Sequence, residues 1–227
     1  MSTKINLNNQ SIIVDYGDMV YLLTDNNKYK TIKCGTDLDI HLQTNTQLQY
    51  IFAWSNQSQD RNLHISLLGE YSHANIAGYI IANKQVKSHV ATIIEHEASY
   101  TQGNCFIKGM IDDQAQLGLH GMIKINQTAS NSQDQLTEKI LVLSQSAVGE
   151  LKPELEISNH DVKASHATTI SHIDKNQLWH LQSRGLNQES ALKLLINGYV
   201  SEIIQIISQF PIPKPILHQI IKKSKVK

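Results

Sequence analysis

Three of the eleven histidines, His160, His166 and His172, fall within thirteen residues, in the run NHDVKASHATTISHID from Asn159 to Asp174. A neutral imidazole ligates iron and other borderline metals, so metal chemistry is to be sought here first. If the run is a strand, alternation puts Val162, Ala164, His166, Thr168 and Ile170 on one face. His166 then reads either as a metal ligand or as a hydrogen-bonded core or interface histidine. His96, between Glu95 and Glu97, forms a metal-ready set on paper. Alternation turns both carboxylates to the face opposite the imidazole, and they read as surface charge. Cys34 and Cys105 are far apart and form no CxxC pair, so they suggest neither a disulfide framework nor an all-cysteine metal site. Each reads as a small buried hydrophobe in a reducing compartment. No paired carboxylates, Ser/His/Asp set or phosphate-cradling loop is identifiable, and Gly118 and Gly121 sit between β runs.

The elements that must position these residues are mostly strands. From Ile5 to Ile170 short β-favouring runs alternate with polar turns: SIIVDY, MVYLL, KTIKC, LDIHLQ, LQYIFAW, NLHISLL, NIAGYII and HVATIIEHE. The first eighty residues suit a barrel or sandwich, with turn signals such as Asp25 to Asn27. From about Leu63 the breaks are too short for crossover helices, and a coil that stacks strands on its own next turn needs none. The residues permit either form. The polar run NQTASNSQDQ, from Asn126 to Gln135, reads as an exposed excursion.

After Ser171 the period becomes helical. Asp174 is placed to cap one helix, Gly185 to end it, and Asn187 to cap a second. The second carries a wide apolar stripe that includes Ala191, Leu192, Leu195, Ile196, Tyr199, Val200 and Ile203. Pro211, Pro213 and Pro215 stop it, and a basic tail follows.

Twenty basic and twenty acidic residues cancel. Without a net field there is no case for nucleic acid or a membrane surface as partner. MSTKINLNNQ lacks a signal-peptide core, and nowhere do about 18 apolar residues run together, so a soluble cytoplasmic protein is expected.

Several ordered blocks carry a resemblance: HEAS, FIKGMIDDQA, GLHGMIKI, ILVLSQSA, KPELEI, DVKASHATTISHID, LWHLQSRGL and ALKLLINGYVSEI. Over roughly residues 60 to 210 the chain resembles the SufB/SufD family, scaffold subunits of the SUF iron-sulfur cluster assembly machinery, and most resembles its SufD side. The resemblance implies a mainly β fold, a right-handed parallel β-helix over residues 1–171, followed by a C-terminal α-helical segment over 172–227. It implies a non-catalytic scaffold that joins a SufB-type chain or a second copy of itself. It also implies that a SufC-type ABC ATPase docks on the C-terminal helices through Arg184, Leu192, Leu195, Ile196, Tyr199 and Ile203. No intrinsic cofactor is expected. His166 matches the family's interface histidine, which makes it the residue to meet a transient iron or iron-sulfur cluster. Two departures stand out: Ala164 replaces a family cysteine, and Val148, before Gly149, stands where SufB-type members carry the cysteine essential for the nascent cluster. The extra N-terminal helical region common in the family has no counterpart before Ile5. Two other readings compete, a β-helix acting on carbohydrate and a structural oligomer without a metal role. The low charge content, 18%, and the lack of an acidic cluster count against the first.

Overall fold

The computed structural model describes residues 3–16, 19–23, 29–33, 36–56, 58 and 60–209. The turn signal at Asp25 to Asn27, Cys34 and the proline-rich tail from Phe210 lie outside the described residues. In chain order the strands are β1 (Thr3–Leu7), β2 (Ser11–Tyr16), β3 (Met19–Leu23), β4 (Tyr29–Lys33), β5 (Asp37–Leu42), β6 (Gln47–Ser55), β7 (Asp60–Leu67) and β8 (His73–Ala82). They continue as β9 (Lys87–His96), β10 (Gln102–Ile111), β11 (Gln116–Ile125), β12 (Gln133–Val142), β13 (Val148–Leu151), β14 (Glu154–Ile157) and β15 (Lys163–His172). Two helices close the described chain, α1 (Lys175–Ser183) and α2 (Gln188–Ser208).

Successive strands alternate between two sheets. Sheet A runs β1-β5-β7-β9-β11-β13, with β14 also on β11, and sheet B runs β15-β12-β10-β8-β6-β2-β3-β4. Each strand pairs in parallel with the one a coil earlier, as Gln102 does with His73 and Gln133 with Gln102. The chain is therefore a parallel β-helix of about five turns. Each coil uses about 30 residues, so no crossover helix is needed. The barrel or sandwich open to the first eighty residues gives way to the same coil, because β1 stacks on β5 and β2 on β6. Only β3 and β4 depart from it, extending sheet B antiparallel from β2.

Alternation within each strand sends one set of side chains into the coil, where identical rung positions stack. One such column is Ile13, Tyr50, Ile76, Cys105 and Leu136, all buried in the core. Phe52 stacks on Trp54 with centroids 4.5 Å apart and leaves room only for hydrogen at Gly78, where a Cβ would lie 2.0 Å from its ring. In the first coils Asp15 is fully buried and accepts from Tyr50 Oη at 2.7 Å and from Arg61 Nη2 at 3.1 Å. The Asn126 to Gln135 run is no excursion. It is a tight corner in which Ala129 and Ser132 are fully buried and Asp134 points inward. Its polar groups are consumed by the corner: Ser132 Oγ lies 2.7 Å from Thr101 Oγ1, and Asp134 Oδ2 lies 2.8 Å from His96 Nε2.

The two helices form as expected. Asp174 accepts from Asn176 N and Asn187 from Ser190 N, each at 2.8 Å, and Gly185 ends α1 at φ +93°. Helix α2 lies along the outer face of sheet B, burying Ile196, Val200, Ile203 and Ile207 against Val14, Ile51, Ala53, Ala77, Tyr79 and Met110. Full burial of such side chains stabilises by roughly 1.5–3 kcal/mol each. Lys108, on the same face, donates to the Tyr199 carbonyl at 2.7 Å and pairs with Glu202. Burial presses the Lys108 ammonium below its usual range, and the Glu202 carboxylate resists that pressure. The Tyr199 hydroxyl lies 3.0 Å from the carbonyls of both Gly109 and Lys139, so its proton is shared between them.

Candidate assembly site at the open coil end

The last coil ends the stack: β13 and β14 terminate sheet A and β15 terminates sheet B, with no described strand on their far side. β15 thus offers a ten-residue edge whose backbone groups facing away from β12 have no described strand to pair with, with Lys163 the one side chain of fixed charge and no proline to blunt the edge. Such an edge is a template for another strand. Around it the exposed large apolar side chains gather: Val148 at 56%, Leu155, Ile157 and Ile170 at 45%. Leu155, Ile157 and Ile170 are exposed because the positions they occupy are covered in earlier coils by the coil that follows, whereas Val148 continues the outward column of Lys87 and Gln116, which is exposed in each of those coils.

His166 lies at the middle of this edge. It is in register with Leu136 and so continues the column of Leu136, Cys105, Ile76, Tyr50 and Ile13, on the inward side but with nothing stacked over it. The imidazole is exposed for that reason, not because the strand turns it outward. Ala164 and Ile170 share its face, as alternation requires. Val148 opens the neighbouring sheet A edge. The two family-cysteine positions, Val148 and Ala164, therefore both fall at the coil end, and neither supplies a thiol.

The three clustered histidines do not converge. His166 and His172 are six strand residues apart, about 20 Å, and His160 lies at the corner before β15. Among the described residues no group of three or more His, Cys, Asp or Glu side chains is arranged to hold a metal ion. Glu95 and His96 do face opposite ways: His96 is fully buried, while Glu95 meets His64 at 3.0 Å and Lys124 at 3.0 Å on the outer face of sheet A. Burial pushes the Glu95 carboxyl up, but its bonds to Lys124, Asn126 and His64 outweigh that and hold it below the usual range. Cys105 is buried as expected, and burial, with Glu138 and Asp134 nearby, raises its thiol well above the usual range.

One residue here escaped the reading of the sequence. Glu138 is fully buried in β12, pointing inward beside Leu136 and Ile140, and neither carboxylate oxygen has a hydrogen-bond partner. Burial alone pushes its carboxyl up to about 7. Its strand-mate Asp134 is also raised by burial, but the His96 imidazole offsets part of that. The signal was present in DQLTEKI, where Glu138 shares the parity of Leu136 and Ile140.

The second surface is helical. Helix α1 buries no residue, and Trp179 is 63% exposed, stacked edge-on with His180. Leu194 on α2 is 52% exposed, and Arg184, at the C-cap of α1, is exposed and makes no ion pair among the described residues. Ile196 and Ile203, expected on the partner-facing side, are instead buried against sheet B, and Tyr199 anchors α2 to it. Leu192 and Leu195 are half-buried. The expectation fails for Ile196 and Ile203 because the stripe lies along a whole sheet face, which absorbs more of its width than the narrow coil end would.

The fold is thus a parallel β-helix whose two sheets end on open edges, followed by a capped helical pair. The chain belongs to the SufBD core domain family of the SUF system for FeS cluster assembly, which it matches over residues 10–199. It is 28% identical over 159 residues to the iron-sulfur cluster assembly protein SufD of Escherichia coli (strain K12), covering 70% of this chain and 38% of that protein. It is 27% identical over 160 residues to SufD of Bacillus subtilis (strain 168), covering 70% and 37%. An iron-sulfur cluster assembly SufBD family protein of Synechocystis is 36% identical over 126 residues, covering 55% of this chain and 27% of that protein. The chain thus spans well under half the length of these relatives.

Proposed function

We propose that the chain is a non-catalytic, SufD-like scaffold subunit of cytoplasmic iron-sulfur cluster assembly. Its open coil end joins a SufB-type scaffold or a second copy of itself, and its helical pair receives a SufC-type ABC ATPase. The observation that carries this reading is the last coil: an unpaired ten-residue edge, an apolar rim and an exposed histidine at an otherwise buried rung position. An edge of that kind is stable in solution when another chain continues the sheet. His166 is then a seam residue, able to ligate iron or a transient cluster only together with groups from the partner, since the described residues of this chain offer no complete ligand set. With neither Val148 nor Ala164 supplying a thiolate, the cluster's sulfur ligands come from the other side of the seam. Iron and the cluster are cargo in this scheme.

Anaerobic co-expression with the SufB-type and SufC-type proteins of the same organism, followed by affinity capture and light scattering, tests the reading. A stable complex is expected, lost at the scaffold contact by Ile170→Asp and at the ATPase contact by Leu194→Glu. His166→Ala is expected to leave the complex intact while lowering cluster yield. If the chain elutes alone whatever its partners, the scaffold reading fails and a structural oligomer takes its place.

A further inference from the structure

The uncompensated carboxylate of Glu138 sits one rung below the open end, and the last coil is broken directly beside it. A methyl group placed on Gly121 would come within 2.9 Å of Glu138 Oε1, so the carboxylate lies against that glycine of β11, across the interior from its own strand. In the last coil β13 pairs with residues 116–119 of β11 and β14 with residues 122–125. His120 and Gly121 are left without a strand above them, where the chain passes as Lys152–Pro153 and the proline has no amide to add to the ladder. On the other wall the residue in register with Glu138 is the half-buried Thr168. The thinnest part of the cap therefore lies over the acid. The rim beside it is acidic too, with Glu150, Glu154 and Glu156 on the sheet A edge against a single Lys152, already paired with Glu154 at 2.7 Å.

Every other buried charge in the coil has a partner: Asp15 has Arg61, and Asp134 has His96. Glu138 has none. An unpaired buried carboxylate is expensive to keep, and the neighbours on its two flanking strands do not relieve it: Ile107 and the Cys105 thiol from β10 and the neutral Thr168 from β15, with His166 two residues from Thr168 on the same face.

We infer that Glu138 is the receiving counter-charge of the open coil end, and that the protein strand closing the coil brings a lysine or arginine side chain over the Lys152–Pro153 break to meet it. This rests on the reading of the coil end as a scaffold contact and adds the chemistry that contact must have. An edge presenting only apolar residues would cover the rim and leave Glu138 as it was, whereas a cationic one satisfies the carboxylate and is selected by it.

The test is the affinity of the chain for the SufB-type protein of the same organism, by calorimetry at about pH 6 and about pH 8, for wild type, Glu138→Gln and Glu138→Leu. Because docking uses the ionised carboxylate, wild-type affinity is expected to rise about tenfold between those values. Both variants, which alter no exposed atom, are expected to bind at least about tenfold more weakly at about pH 8 and to lose that part of the pH dependence. His166, His172 and Glu154 lie at the same rim and are common to all three proteins. Val148→Asp is the control that places the contact. If it abolishes binding while Glu138→Gln and Glu138→Leu bind as wild type does, the counter-charge inference is overturned and the scaffold contact stands. If wild type does not bind, or Val148→Asp binds normally, the contact itself is misplaced and the inference falls with it.

Discussion

Replacing Glu138 by Gln should make the isolated chain more stable, and by an amount that depends on pH. The folded chain holds this carboxyl at about 7 against an ordinary value of 4.5, so between the two the native state binds more protons than the unfolded one. Stability from this group is fully present below about pH 4.5 and is lost as pH rises through about 7. A difference of about 2.5 units corresponds to about 3 kcal/mol in all, of which about 2 kcal/mol falls between about pH 5.5 and about pH 8.5. Gln keeps the shape and carries no charge. Urea unfolding of both proteins at the two pH values gives four free energies, and the difference of differences isolates the carboxyl, because every other ionisable group is common to both. The variant should gain about 2 kcal/mol on wild type in going from the acidic to the alkaline condition. Equal pH dependence in the two proteins would refute the argument and mean that Glu138 finds a partner or water in solution.

Asp15→Asn should destabilise by about 3–5 kcal/mol in urea unfolding, because it removes the carboxylate charge that faces the fully buried Arg61 guanidinium; a loss below about 1 kcal/mol would show that water reaches the pair. Ile203→Ala should cost about 2–5 kcal/mol by lifting packing between α2 and sheet B, measured the same way. Leu194→Glu should change stability by no more than about 0.5 kcal/mol while abolishing capture of the ATPase, and a comparable fall in both would assign the residue to the fold.

Much of the fold was legible because strands announce themselves locally. SIIVDY and MVYLL coincide with β2 and β3, and HVATIIEHE lies over β9, since alternation and β-branched content are properties of a few adjacent residues. Alternation also separated His96 from Glu95 correctly. What it could not supply was the partner of each strand, about 30 residues away, which is why the first eighty residues read equally well as a sandwich. The polar corner from Asn126 to Gln135 misled for a related reason: composition suggested solvent, while the structure satisfies Ser132 and Asp134 inside through Thr101 and His96. Helix α2 misled in the opposite direction. Its stripe was visible, but the width of the surface available to it was not, so Ile196 and Ile203 were assigned to a partner when their own sheet buries them.

By itself the sequence determined the strand runs, the helix caps at Asp174 and Asn187 and, through ordered blocks, the family. Those are local or cumulative signals carried by neighbours in the chain. Only the tertiary structure decided that His166 is exposed at an inward rung position, that the three histidines cannot share an ion, and that Glu138 is buried without a partner. Each of these depends on which coil lies above a residue, and in a β-helix the residue above is always a coil away in sequence, or, at the open end, in another chain.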